Sequence, residues 1–369
     1  MQTGKGWAPG RGRHGSGERE AEGTVYDVKR SKLRLLALIG LGSVALVFLF
    51  ILSLTLGTIQ MSLEEAMGST IALIFKFGNP EGLNELVVFY LRMPRAIAAI
   101  AVGVGLSTAG VVMQALIRNP LVDPYVTGIS SGAGLGAALA GLMGLTLIGS
   151  SVFSLPIAAF VGAVLAFFFT MGLAESAGGR PISYVLSGVI VGIMAGAITT
   201  LVITFNSDKL HGILFWMFGS FANVGWDIAL MITIPVALTC ALVLFYARDL
   251  NVILLGDEQA KQLGLDTVML KRCMIAVVSI LAGVCVAFTG IIGFVGLIVP
   301  HVARILVGGD HRMLLPSSMI LGAILLLAAD IACKTLASPM ELPVGAIISV
   351  IGAPFFAYLM IRTGKQYGM

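Results

Sequence analysis

Few residues in this sequence have types and spacings that could support catalysis or metal binding. The four cysteines lie far apart, and no CxxC or Cys/His ligand spacing occurs. His301 follows Pro300 in an apolar stretch, where a lone histidine is more often a structural residue than a metal ligand. No Ser/His/Asp or Cys/His arrangement is present. The sequence therefore predicts neither a catalytic site nor a metal site.

Asp330 is unusual because it lies near one end of an otherwise apolar stretch of membrane-spanning length. Ionisable groups inside a membrane are costly and often functional. Lys334 follows four residues later, a spacing that lets the two charges pair on one face of a helix. We interpret the two residues as a structural ion pair, and proton coupling through Asp330 is the alternative interpretation.

The glycine-rich run "GISSGAGLGAALAG", residues 128–141, does not have the pattern of a nucleotide site. It has no Gly-Lys-Ser/Thr and no strand–turn–helix context. Gly132 and Gly136 have GxxxG spacing, which favours close packing of two apolar helices. The chain thus carries no ATP-binding motif, and if ATP drives it, another subunit must supply the nucleotide site.

The elements that must position these residues are membrane helices. The chain has 369 residues, of which 57% are hydrophobic and 11% are charged, and its mean hydropathy is +0.99. This composition is typical of a polytopic membrane protein rather than a soluble domain. About ten apolar runs predict an all-α protein of about ten transmembrane helices; the runs lie at 33–59, 95–117, 126–148, 152–174, 183–205, 228–246, 272–291, 294–308, 314–333 and 343–362.

The charged residues predict the domain organisation and the orientation. Residues 1–32 form a polar tail that we expect to be disordered and cytoplasmic, and residues 33–369 form a single transmembrane domain. The first apolar run is about 27 residues long, too long for the core of a signal peptide, so we expect it to remain as a span. With both termini cytoplasmic, all but five of the 23 Lys and Arg residues lie inside, as the positive-inside rule requires. The five outside are Lys76, Arg92, Arg95, Lys209 and Lys334.

One polar segment, "LLGDEQAKQLGL" at residues 254–265, contrasts with the apolar chain around it. It lies in a predicted cytoplasmic loop, about residues 247–271. We expect Asp257 to cap a short helix and Gly264 to end it in a left-handed conformation. Leu255, Ala260 and Leu263 could form a small apolar patch. Because lipid offers such a helix no partner, we expect it to contact a soluble protein.

Five segments together resemble the permease subunits of ABC importers for iron-siderophores, haem and vitamin B12. They occur in the order of that family and cover most of residues 91–362. They are "LRMPRAIAAIAVGVGLSTAGVVMQALIRNPLVDPYVTGISSGAGLGA", "FWMFGSF", "LLGDEQAKQLGL", "GIIGFVGLIVPHVARILVGGDHRMLLP" and "ELPVGAIISVIGAPFF". The polar tail lies outside the resemblance.

The resemblance implies a set of partners in the plasma or inner membrane of a prokaryote. Two permeases pair, either as a homodimer or with a homologous permease. Two cytoplasmic ATPase subunits use ATP and Mg, and a substrate-binding protein docks outside. No cofactor on this chain and no nucleic acid are expected. The polar segment resembles the family's coupling segment, which sits in a groove of the ATPase. The matching residues are Gly256, Glu258, Ala260, Leu263 and Gly264.

The resemblance also implies roles for residues at the two mouths of the pathway. Arg92 and Arg95 match outer arginines that pair with glutamates of the binding protein, and Lys334 stands where a third arginine is frequent. Lysine there keeps the charge but not the two-pronged fork of arginine. Asn119 and Leu121 match positions that narrow the cytoplasmic end of the pathway in the vitamin B12 permease. A tight turn fixed by Pro120 and Pro124 is the simpler explanation of that motif, and the two are compatible.

We therefore expect the membrane subunit of an ATP-driven importer, a transport subunit rather than an enzyme. A ferric siderophore is the expected substrate because it is the commonest substrate class of the family, and haem and cobalamin remain alternatives. The rival hypothesis is an ion-coupled secondary transporter that acts without an ATPase. That rival requires more acidic residues within the membrane than Asp330.

Overall fold

The computed structural model describes residues 14–57, 59, 61–75, 78–144, 151–205 and 211–366. Within these residues the chain is all-helical. A π-helical segment, Val87–Arg92, joins α3 to α4, and a 3-10 turn, Pro124–Thr127, precedes α5. The helices are α1 (His14–Thr55), α2 (Leu63–Phe75), α3 (Leu83–Leu86), α4 (Met93–Ile117), α5 (Ile129–Met143), α6 (Ser151–Ser176), α7 (Pro181–Thr204), α8 (His211–Met217), α9 (Trp226–Phe245), α10 (Ala247–Ile253), α11 (Asp257–Gln262), α12 (Thr267–Thr289), α13 (Val295–Val307), α14 (His311–Thr335) and α15 (Val344–Gln366).

Each of the ten apolar runs in the sequence overlaps one of these helices. Seven of the described helices are long and apolar enough to cross a membrane, and α5, α13 and part of α15 are shorter apolar helices. The short run predicted at 294–308 is α13, which follows an irregular stretch in which Phe294 has φ +67°. The predicted all-α, multi-pass architecture is confirmed.

The first helix differs from the expectation of a disordered tail. α1 begins at His14, well before the apolar run that starts at Leu33. Glu, Ala, Arg and Lys are frequent between residues 18 and 34, and these residues have high helix propensity. The polar stretch can therefore continue the helix of the apolar run. Residues 1–13 of the predicted tail lie outside the described residues.

α4 lies at the centre of the bundle and is the most buried of the long apolar helices. Its small residues let neighbouring backbones approach closely. A Cβ added at Gly103 would overlap the carbonyl oxygen of Gly322 on α14, and one at Gly110 would overlap that of Gly296 on α13. Close approach of this kind replaces the hydrophobic effect, which does not drive helix association inside a membrane.

The GxxxG pair packs as its spacing predicts. Gly132 and Gly136 of α5 face α6, where an added Cβ would overlap the backbone of Gly162 or Ala158. α5 and α6 therefore meet along glycine rather than along bulky side chains. The glycine-rich run is thus a packing surface of the bundle.

The bundle has two ends, defined here by α4. The head end is the end at which α4 begins, near Arg95, and the base end is the end at which α4 stops, near Arg118. α1 and α12 run toward the head end, while α9 and α15 run toward the base end. The last residues of α1 bind Arg92 and Lys334 at the head end, and Glu341, just before α15, pairs with Arg95 there. α9 leads into α10 and α12 follows α11, both at the base end.

Candidate functional site

The loop predicted at about residues 247–271 lies at the base end and forms two short helices, α10 and α11, between α9 and α12. Glycines bracket α11: Gly256 has φ +117° and Gly264 has φ +86°, conformations that residues with a Cβ rarely adopt. The amide of Gly264 donates to the carbonyl of Lys261 (2.9 Å), which closes the last turn. The predicted left-handed end of the helix at Gly264 is confirmed.

The capping role predicted for Asp257 is wrong. Gly256 occupies the N-cap position and Asp257 is the first residue of the helix. The Asp257 side chain instead pairs with Arg118, at the end of α4, and with Lys271 of α12, whose Nζ lies 2.6 Å from Oδ2. The competing cations hold the carboxylate away from the amides of the first turn. They could not be inferred from the sequence around Asp257.

One side of this pair of short helices is attached to the bundle and the other is exposed. Ala260 is fully buried, as are Leu250 and Ile253 of α10. By contrast, Leu263 is 66% exposed, and Leu255 and Glu258 are exposed as well. The predicted apolar patch therefore does not form as one surface. Ala260 packs α11 against the bundle, while Leu255 and Leu263 are exposed.

A second set of bonds fixes α10 to the start of α14. The Asn251 side-chain amide donates to the Asp310 carboxylate (2.7 Å), and its oxygen accepts from the backbone amide of His311 (2.9 Å). Asp310 caps α14 and pairs with Arg312. The hydrogen bond from Arg312 is the largest of the effects that lower the pKa of Asp310 to about 2. The two short helices are thus attached to two long helices, α11 to α12 and α10 to α14.

The Asp257 carboxylate is held charged by its two partners. Burial favours its neutral form, but the hydrogen bond and charge of Lys271, together with Arg118, outweigh burial and lower the pKa of Asp257. The Nε of Arg118 also donates to the carbonyl of Ile253 (3.1 Å). We call Arg118, Asp257 and Lys271 the base cluster.

The residues predicted to narrow the pathway lie next to the base cluster. Arg118 ends α4 with φ +54°, and Asn119 follows it directly. The Asn119 side-chain oxygen accepts from the backbone amide of Leu121 (2.9 Å), so the motif forms a tight turn at the base end. Both Asn119 and Leu121 are exposed. The turn interpretation is confirmed, and the gate role stays a prediction.

At the head end, Arg95 joins α4 to two acidic residues far along the chain. Its Nη2 lies 2.8 Å from Oδ1 of Asp330, and its Nη1 lies 2.9 Å from Glu341. The Asp330 side chain has no exposed surface. Lys334 also reaches Asp330, at 3.8 Å, so the predicted i,i+4 pair is present. Arg95 is nevertheless the closer partner of Asp330, which the sequence did not indicate.

The other two head-end cations bind the end of α1. The Nζ of Lys334 donates to the carbonyl and hydroxyl oxygens of Ser53, each at 2.9 Å. Arg92 donates to the carbonyls of Leu54, Thr55 (2.8 Å) and Ile59. A helix leaves its last carbonyls unpaired, and cationic side chains satisfy them here. Both residues therefore fix α1 to the bundle.

The three cations predicted to dock an outer protein are thus buried and engaged within the chain. They line, with Glu341, a small pocket of about 130 Å³ at the head end. A partner's carboxylate would have to enter this pocket or displace Glu341, whose side chain is partly exposed. Glu341 is the residue that the sequence interpretation missed. It stands at the start of "ELPVGAIISVIGAPFF", where no local pattern pairs it with Arg95.

The described part of the chain contains no group of three or more His, Cys, Asp or Glu side chains placed to hold a metal ion. Cys240, Cys273, Cys285 and Cys333 are all free thiols. The polar contacts described at the two ends of the bundle are ion pairs and hydrogen bonds.

Comparisons with known proteins identify relatives along most of the chain. The sequence model of the FecCD transport family matches residues 45–362. The cobalamin import system permease protein of Halobacterium salinarum is 40% identical over 77% of this chain and 76% of that protein. An iron chelatin transport system permease protein of Helicobacter pylori is 37% identical over 87% of this chain and 97% of that protein. A solved structure described as an inward-facing, metal-chelate type ABC transporter has 30% identity and a TM-score of 0.77, and it covers 88% of this chain and 99% of that one.

Proposed function

Because the chain belongs to the FecCD transport family, we propose that it carries a ferric siderophore across the membrane in an ATP-driven importer. Whatever its individual substrate, it is a permease of the ABC importer family for iron-siderophores, haem or vitamin B12. It is a multi-pass protein of the cell membrane and a transport subunit rather than an enzyme.

The choice of an iron chelate rests on the match to the iron chelatin permease, which extends over 97% of that protein. Cobalamin is the second candidate because the cobalamin permease has the higher identity, 40%. The test is uptake by proteoliposomes that contain the whole importer, offered a ferric siderophore, haem or cobalamin separately. Uptake of cobalamin alone would overturn the choice of substrate while leaving the family assignment intact.

For energy supply, we propose that two cytoplasmic ATPases bind ATP and Mg and seat on the coupling segments of two paired permeases. The observation that supports this proposal is the divided surface of α11, with Ala260 buried and Leu263 exposed. The base end then faces the cytoplasm, in agreement with the charge distribution. Gly256 and Gly264 set the outline of the segment, and Glu258 and Leu263 would enter the ATPase groove. No cofactor is proposed on this chain.

The seating can be tested by co-purification from the native membrane. The double variant E258A/L263A should lose the ATPase, with assembly weakened by about 2 kcal/mol or more if these residues are central to the interface. K261A is the matched control, since Lys261 lies on the same helix and is also exposed. Equal loss in both variants, or none in either, would contradict the proposed contact.

We further propose that the head end receives the extracytoplasmic substrate-binding protein at Arg92, Arg95 and Lys334. Three cations meet two acidic residues, Asp330 and Glu341, there, so these five side chains keep a net positive charge that suits an acidic partner. Docking of this kind should weaken with salt. Affinity for the binding protein that does not change between low and high salt would contradict it.

For the pathway, we propose that Asn119 and Leu121 close the cytoplasmic mouth. Their place at the exposed base end, beside the coupling segment, supports this role. The double variant N119A/L121A should make proteoliposomes leakier to the substrate without ATP. An unchanged passive leak would argue against the gate.

The secondary-transporter hypothesis is disfavoured by the surroundings of Asp330. A proton carrier must exchange protons with water, but the Asp330 side chain has no exposed surface, and its carboxylate is bonded to Arg95 at 2.8 Å. Uptake that continues after ATP depletion and stops when the ion gradient is collapsed would restore that hypothesis.

A further inference from the structure

Arg118 lies between the coupling segment and the turn at Asn119 and Leu121, and the proposed mechanism requires that movement pass from one to the other. Its backbone ends α4 and leads directly into Asn119 and Leu121. Its side chain reaches the coupling segment. We call the turn at Asn119 and Leu121 the gate turn. The backbone of Arg118 leads into this turn, and its guanidinium binds the coupling segment.

The guanidinium holds the coupling segment at two points. Its Nη2 donates to the Asp257 carboxylate, on the first turn of α11, and its Nε donates to the carbonyl of Ile253, the last residue of α10. The two acceptors lie on either side of the turn at residues 254–256. The planar fork of arginine can bond two acceptors in fixed directions, which a lysine ammonium cannot. A displacement of the turn therefore moves the guanidinium with it.

The backbone of Arg118 is in an unfavourable conformation for a residue with a side chain. Its φ of +54° lies in the left-handed region, where glycine is the usual residue at the end of a helix. Among the described residues other than glycine, it shares a positive φ with Phe294 alone. An arginine at such a position is explained by the task of its side chain, since a glycine would end α4 with less strain.

Lys271 extends the connection to a third element. Its Nζ binds both oxygens of Asp257, at 2.6 and 2.8 Å, from the first turns of α12. α12 is largely buried and packs against α4 and α6. Asp257 thus bridges the end of α4 and the start of α12, the two helices that flank the gate turn and the coupling segment.

We infer that Arg118, held by Asp257, is the positioning residue that transmits movement of the coupling segment to the gate turn at Asn119 and Leu121. The inference rests on the proposed function for its biological meaning. The contact itself belongs to this chain alone, so it can be tested with or without a partner.

A neighbouring ion pair supplies a matched control. Arg272 follows Lys271 on α12 and pairs with Glu175 of α6, with Nη2 and Oε2 2.6 Å apart. This pair is also at the base end and also partly exposed, but its bonds join α12 to α6 and not to the coupling segment or to the turn at Asn119 and Leu121. Its loss removes a similar surface ion pair without cutting the proposed connection.

The first experiment uses the chain alone, in lipid nanodiscs, with hydrogen–deuterium exchange of residues 119–123 as the measurement. D257N and R118Q should each speed exchange in this turn, whereas R272Q should not. Exchange in D257N and R118Q equal to that of the wild type would overturn the inference. This result does not depend on whether an ATPase exists.

The second experiment uses the assembled importer and measures substrate moved per ATP hydrolysed. D257N and R118Q should keep ATP hydrolysis but lower this ratio by about fivefold or more, the lower limit of typical coupling between sites. The double variant should be no worse than the worse single variant, because the two residues act as one link. A ratio equal to that of R272Q would overturn the inference, while an importer that lacks an ATPase in the wild type would overturn the proposed function instead.

Discussion

The two ends of α4 carry similar sets of charges in different surroundings. At the head end, Asp330 lies between Arg95 at the start of α4 and Lys334. At the base end, Asp257 lies between Arg118 at the end of α4 and Lys271. The Asp330 side chain is 0% exposed and the Asp257 side chain is 44% exposed. We call Arg95, Asp330 and Lys334 the head cluster. It contains the same residue types as the base cluster, but its carboxylate has no access to water.

The difference in exposure suits the two clusters to different roles. A buried carboxylate must stay paired, because removal of one partner leaves an uncompensated charge in a medium of low dielectric constant. A partly exposed pair is solvated and screened, so it can open and close at little cost. The head cluster is suited to fixing α1, α4 and α14 together. The base cluster is suited to the movement that we propose for it.

The largest effect is expected for D330N, which leaves Arg95 and Lys334 with less negative charge in a buried site. We expect the folded state to lose about 3–5 kcal/mol. Thermal unfolding in detergent measures this change. An unfolding temperature within error of the wild type would show that the head cluster is as adaptable as the base cluster.

A smaller loss, about 1 kcal/mol, is expected for E341Q, because the Glu341 side chain is 30% exposed and Asp330 remains on Arg95. The same variant should bind the proposed outer protein more tightly, since Arg95 regains free donors. Affinity measured by surface plasmon resonance tests this point. Weaker binding in E341Q would indicate that Glu341 itself contacts the partner.

Asp310 is intermediate in exposure between Asp330 and Asp257, at 26%. The pH dependence of stability therefore tests how strongly such a carboxylate is paired. Its pKa is lowered to about 2 in the folded protein, against about 3.9 for a free side chain. A depressed pKa stabilises the fold above the unfolded value, so this contribution is complete above about pH 4 and is lost as pH falls toward 2. The free energies of unfolding of the wild type and of D310N should therefore converge as pH falls from about 4 to about 2. A gap that is independent of pH would contradict the assignment.

The smallest effect on stability is expected for D257N, under about 1 kcal/mol, because its ion pairs are partly solvated. Salt should reduce even this difference, since the Debye length falls to about 3 Å at 1 M. Denaturation at low and high salt, with R272Q alongside, measures it. A loss as large as that of D330N would remove the distinction between the two clusters.

Much of the architecture could be predicted because hydropathy is a local property. Ten apolar runs correspond to helices, and the spacing of Gly132 and Gly136 predicted the contact of α5 with α6. The glycine at position 264 predicted the end of α11. The tail was less predictable, because a polar composition compatible with disorder is also compatible with the helix that begins at His14.

The sequence by itself determined the membrane class, the helices and the positions of the scarce charges. Only the tertiary structure decided which charges meet: Arg95 with Asp330, 235 residues apart, and Arg118 with Asp257, 139 residues apart. Pairing over such distances depends on how glycine contacts set the helices against one another, and no local pattern encodes it. Burial was decided in the same way: the carboxylate at one end of α4 is enclosed, and the one at the other end is accessible to water.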